Sequence, residues 1–71
     1  MNTLENLKYL IGEEFENVVD DIICAFTEEG EVVVKDSENN GYDKIAYINS
    51  VESTQYLFKL EDGKIVDVWE A

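Results

Sequence analysis

The 71 residues predict an α+β fold, an N-terminal α-helix packed on one face of a four-stranded antiparallel β-meander in the order α-β-β-β-β. Three observations predict it. Apolar residues recur at helical spacing over residues 3–27, four short β-branched and aromatic runs follow Gly30, and the gaps between those runs are short and rich in turn formers. One domain spanning 1–71 is expected, because even a 60-residue domain buries only about 60% of its unfolded surface and half of this chain could not hold a core.

The helix comes first. At about 100° per residue, Leu4, Leu7, Ile11, Phe15, Val18, Val19, Ile22, Ala25 and Phe26 fall within an arc of about 120°, which is the width of a core-facing stripe. Asn2 precedes the pattern and Glu5 stands at the third helical position, an Asn version of the capping box; Gly30 is available to close the far end. Gly12 sits mid-pattern at a cost of up to about 1 kcal/mol, so a break into two helices is the alternative. A strand over 22–26 fits less well, since Asp20 and Asp21 are poor strand residues.

Strands are expected at about 31–35, 44–49, 54–60 and 64–69. Asn40-Gly41 and Glu61-Asp62-Gly63 supply the positive-φ residues of tight reversals. If 61–63 forms a three-residue loop, Tyr56, Phe58, Leu60, Val66 and Val68 share the core face, and Leu57, Ile65, Asp67 and Trp69 share the other. A two-residue Asp62-Gly63 turn shifts this register by one. One helix covers one sheet face, so Leu57, Ile65 and Trp69 are the candidate interface on the uncovered face, for a partner or for a second copy of the chain.

Composition excludes several classes. Seventeen Asp and Glu against five Lys, with neither Arg nor His, give a net charge of −12, which repels nucleic acid and anionic membranes. Apolar content of 45% is too high for a disordered acidic tail. The apolar runs are about three residues long, far short of the roughly 20 that span a bilayer. The single Cys24 forms no internal disulfide and the chain opens without a basic, then apolar, leader; both point to a reducing cytoplasm. Without His or Arg the usual acid–base and anion-handling groups are missing, and Cys24 lies near Asp20 and Asp21, whose charge disfavours a thiolate. No enzyme activity, cofactor or metal is therefore expected. Asp36-Ser37-Glu38-Asn39-Asn40-Gly41 resembles the opening of an EF-hand loop, with oxygen ligands at positions 1, 3 and 5 and Gly at 6, but Tyr47 stands where the bidentate Glu belongs and strands flank it. It reads as a solvated hairpin loop.

The charge is unevenly placed. Residues 1–31 hold nine acids and one Lys, whereas 32–71 hold eight acids and four Lys. On a continuous helix Glu13, Glu16 and Asp20 fall within about 60° opposite the apolar arc, with Glu5 alongside and Glu14 and Asp21 further around. From Glu13 to Asp21 such a helix rises about 12 Å, so five carboxylates would average about 2.4 Å of axis each, against about 1.7 Å per charge in duplex DNA. Like charges at these spacings cost roughly 0.2–0.5 kcal/mol per pair, and Glu28 and Glu29 near the helix C-terminus add to the penalty. The expected function is a non-enzymatic, acidic protein-binding module, a nucleic-acid mimic that occupies the basic groove of a nucleic-acid-binding protein such as a nuclease or defence effector. Counter-defence inhibitors of phages and mobile elements and nuclease immunity proteins work by this physics. Its partner-binding residues would be Glu13, Glu14, Glu16, Asp20, Asp21, Glu5 and Glu28. The alternative is a structural or adaptor domain that homodimerises or docks through its uncovered sheet face, with the charge serving solubility.

Overall fold

The computed structural model describes residues 2–27, 30–37, 41–49 and 54–71. Helix α1 (Thr3–Lys8), a 3₁₀ turn (Phe15–Asn17) and helix α2 (Val19–Ala25) precede four strands, β1 (Val32–Asp36), β2 (Lys44–Ile48), β3 (Tyr56–Glu61) and β4 (Lys64–Glu70). The strands lie in chain order in one sheet and every neighbouring pair is antiparallel, so the α+β meander is the observed fold. Strand ends fall within one or two residues of the sequence expectation.

The first helix starts as its cap signals, with the Glu5 N–H donating to the Asn2 side chain at 2.8 Å. It does not run to residue 27. Helix α1 ends at Lys8, and Gly12 adopts φ +98°, a left-handed conformation that Gly reaches without the strain a Cβ brings. The chain then passes along the outer edge of β4: the Gly12 N–H donates to the Ile65 carbonyl (2.7 Å), the Ile65 N–H to the Glu13 carbonyl (2.9 Å) and the Phe15 N–H to the Gly63 carbonyl (2.9 Å). Glu14 faces Lys64 as a bridge partner. Magnitudes favour this departure. Gly12 already weakens a helix by up to about 1 kcal/mol, whereas three backbone hydrogen bonds are each worth about 0.5–1.5 kcal/mol net and close an otherwise unpaired sheet edge.

The apolar stripe is nevertheless buried, because each helical piece turns the same side to the sheet. Leu7, Phe15, Val18, Ile22 and Ala25 pack with Ala46, Tyr56, Phe58, Ile65 and Val68, and Leu4, Val19 and Phe26 are half-buried around them. Phe15 meets Phe58 edge to face at 5.5 Å and Phe26 meets Tyr56 at 5.4 Å. Ile11 is the exception at 42% exposed, since it lies in the turn where the helix stops. The two helices are tied end to end by the Asn6 amide donating to the Ala25 carbonyl (3.0 Å) and by the Thr27 N–H donating to the Thr3 hydroxyl (3.2 Å). Gly30 does not close the helix, which ends at Ala25. Instead it passes against Ile48, where a Cβ would stand 2.5 Å from that side chain's Cγ2.

The last hairpin corrects the expected register. Asp62 (φ 51°) and Gly63 (φ 81°) form a two-residue turn with Glu61 opposite Lys64 and Leu60 opposite Ile65. Past Val66 the register shifts, so that Lys59 faces Asp67, Phe58 faces Val68 and Leu57 faces Trp69. Val66 is the extra residue of a β-bulge. Ile65, expected on the uncovered face, is therefore fully buried under the helices, and Val66, expected in the core, is 40% exposed. The tight turn alone would have aimed Asp67 at Phe58; the bulge restores Val68 to that place.

Candidate functional site

The acids of the N-terminal half are distributed over four elements. Glu5 lies in the first turn of α1, Glu13 and Glu14 in the segment along β4, Glu16 in the 3₁₀ turn, and Asp20 and Asp21 in the first turn of α2. All six are exposed. Glu28 lies outside the described residues. The continuous ridge expected along one helical rod is thus not observed: extended chain advances about 3.3 Å per residue against 1.5 Å in a helix, so the estimated spacing along a common axis does not hold. What the fold retains is an acidic layer. Its members sit on the helices and on the segment joining them, and Asp20 and Asp21 gain locally from the positive end of α2.

The protein's own lysines do not neutralise this layer. Among the described residues the ion pairs are Lys44 with Asp36, within the sheet, and Lys59 with Asp43 (3.5 Å), from β3 to the residue that precedes β2. None of the six acids has a lysine ammonium within ion-pair reach, and among the described residues the Glu14 carboxylate accepts from the Asn17 amide, at 3.3 Å. Glu14, Glu16 and Asp62 line a shallow pocket of about 380 Å³ with Phe15, Leu60 and Lys44. The Lys44 ammonium stands 5.3 Å from the Phe15 ring centroid and is held by Asp36, so the pocket sets three carboxylates around one cation that already has a partner. Lys44 and Asp62 are the members that sequence reasoning missed. A signal for Lys44 exists, as it alternates with Ala46 and Ile48 along β2 and so points to the helix-covered side. Asp62 is legible only as a turn residue.

Asp43 organises the loop end of the sheet. Its carboxylate accepts from the Leu60 N–H at 2.8 Å, and this bond, helped by Lys59, holds its pKa below the ordinary carboxylate value. On the sheet face away from the helices, Ile45 and Leu57 are each only 7% exposed. Their flanks carry Tyr42 and Trp69, edge to face at 6.3 Å, and the Lys35 ammonium 5.4 Å from the Tyr47 ring. Of the three residues expected to form an interface there, Ile65 lies on the opposite face, Leu57 is buried, and Trp69 is half-exposed.

No group of three or more potential metal ligands occurs among the described residues. Of the loop that resembles an EF-hand opening, 38–40 lies outside the described residues, and Asp36 is paired with Lys44. Cys24 is exposed. No described helix is long and apolar enough to cross a membrane. Compared with protein-family models, with curated proteins and with solved structures, the chain has no match.

Proposed function

We propose that this chain is a non-enzymatic binding protein whose acidic helical layer occupies a basic surface on a nucleic-acid-binding protein, such as a nuclease or a defence effector. The observation that carries the reading is the segregation of charge. Six exposed carboxylates stand on the helical layer without a lysine partner, while the ion pairs among the described residues join side chains of the sheet and of the residue that enters β2. The arrangement raises the energy of the isolated protein through like-charge repulsion and is relieved when cations approach, which favours fast, steered association with a basic surface. The uncovered sheet face supports an adaptor or dimer role less well, because its centre is already sealed by the chain's own side chains.

The test is capture on the immobilised chain at low and high salt, followed by competition with duplex DNA. A DNA- or RNA-binding protein should be retained at low salt, released at high salt and displaced by the competing DNA. The triple variant Glu13→Lys, Glu16→Lys, Asp20→Lys should retain none while remaining folded. Capture of only salt-insensitive partners, or of partners that DNA does not displace, refutes the mimicry.

A further inference from the structure

The acidic layer is not uniformly polar. Among the described residues, the large apolar side chains left most exposed are Tyr9 (71%), Ile11 (42%), Ile23 (41%) and Val66 (40%). Three of these four belong to residues within three positions of a single backbone contact, the Gly12 N–H on the Ile65 carbonyl. The turn that carries Tyr9 and Ile11 is tethered on both sides. The Leu10 and Ile11 N–H groups donate back to the carbonyls of Leu7 and Lys8, and Gly12 and Glu13 are bonded to β4. The backbone of this turn is held in place before any partner arrives, so only the Tyr9 side chain remains to be ordered on binding. That side chain shares a groove of about 250 Å³ with Glu5 and Lys8, and Glu13 and Glu14 follow the turn in sequence.

An exposed aromatic side chain beside charged residues, in a chain of net charge −12, is the layout of an interface anchor with a charged rim. We propose that the Tyr9–Gly12 turn is the apolar anchor of the acidic layer. It seats an apolar side chain of the basic partner, while Glu5, Glu13 and Glu14 meet that partner's lysines or arginines. Charge complementarity names the occupant: a cationic protein segment with an apolar residue among its cations, rather than a purely electrostatic polycation and rather than a second copy of this chain, which also carries −12. This inference rests on the basic-partner reading above and adds what discriminates among basic partners.

The test uses two synthetic peptides of equal length and equal lysine count, one with glycine spacers and one with leucine spacers, titrated into the intact chain and followed by amide chemical shifts. The leucine peptide should bind about tenfold more tightly or better, with the largest shifts at residues 9–12 and at Val66. In Tyr9→Ala that advantage should collapse while the glycine peptide binds as before; Ile23→Ser, exposed to the same degree as Ile11 but on α2, should leave both affinities unchanged. Equal binding of the two peptides to the unmodified chain, or an advantage that survives Tyr9→Ala, overturns the anchor and leaves the basic-partner reading standing. Failure of both peptides to bind at low salt overturns the two together.

Discussion

Two glycines separate conformational strain from steric conflict. Gly12 has φ +98° with open space where a Cβ would go, so Gly12→Ala should cost about 1–2 kcal/mol through backbone strain alone. Gly30 has φ +149° and would also drive a Cβ into the buried Ile48, so Gly30→Ala should cost distinctly more, on the order of 2–4 kcal/mol. Denaturant titration of both variants checks the order, and an equal loss at the two sites would mean that Ile48 yields freely. Asp43 makes the pH-dependent prediction at this scale. Its folded pKa is depressed below the ordinary 3.8 by the Leu60 N–H and Lys59, so it stabilises the fold above that value and the contribution is lost as pH falls through the folded pKa. Asp43→Asn should therefore be less stable than the parent near neutral pH, and the gap should close below about pH 3.8. A gap that is constant with pH would assign the effect to the shape of the side chain and not to its charge.

Among the elements, the segment from Gly12 to Phe15 decides both the end of α1 and the fate of the β4 edge. Phe15 anchors it: buried, edge to face with Phe58 and beneath the Lys44 ammonium. Phe15→Ala should cost about 3–5 kcal/mol, a large share of the stability of a domain this small, and should expose the Gly63–Ile65 amides to faster hydrogen exchange. Val66 makes the opposite prediction. Deleting it removes the bulge but keeps Leu60 opposite Ile65 and Phe58 opposite Val68, so the deletion should be tolerated within about 1–2 kcal/mol. Inserting a residue at the same place puts Val68 four positions after Ile65, on the same face without a bulge, but moves it from Phe58 to Tyr56 and slides the rest of β4 along β3, so it should cost more than the deletion. Thermal melts of the pair check this order, and a deletion that costs more than the insertion would place the bulge elsewhere.

At the scale of the molecule, a charge of −12 with no described ion pair on the helical layer means that repulsion there acts against folding. Added salt should raise the melting temperature of the free protein, because screening relieves the repulsion and has few attractive pairs to weaken. The same salt should weaken binding to a basic partner. The charge-reversed triple variant should melt at or above the parent temperature at low salt and lose most of the salt dependence. A parent melting temperature that falls with salt would show that attractive pairs outweigh the repulsion.

What could be read from the residues alone was the order of elements, the buried stripe and the excess of acid in the first half. Each of these depends on local periodicity or composition: 3.6-residue spacing sets the inward side within each helical piece, Leu4 and Leu7 in α1 and Val18, Ile22 and Ala25 along α2, and alternation in β3 sets Tyr56 and Phe58 against them. The tertiary structure alone decided where the helix breaks, which of Ile65 and Val66 enters the core, and whether the carboxylates share one axis. Those outcomes turn on partners distant in sequence, since the unpaired amides and carbonyls of β4 draw Gly12–Phe15 out of the helix, and the cost of facing Asp67 toward Phe58 favours a bulge after a two-residue turn. Local pattern fixes which side of each piece is apolar, and only the assembled sheet determines which backbone groups still lack a partner.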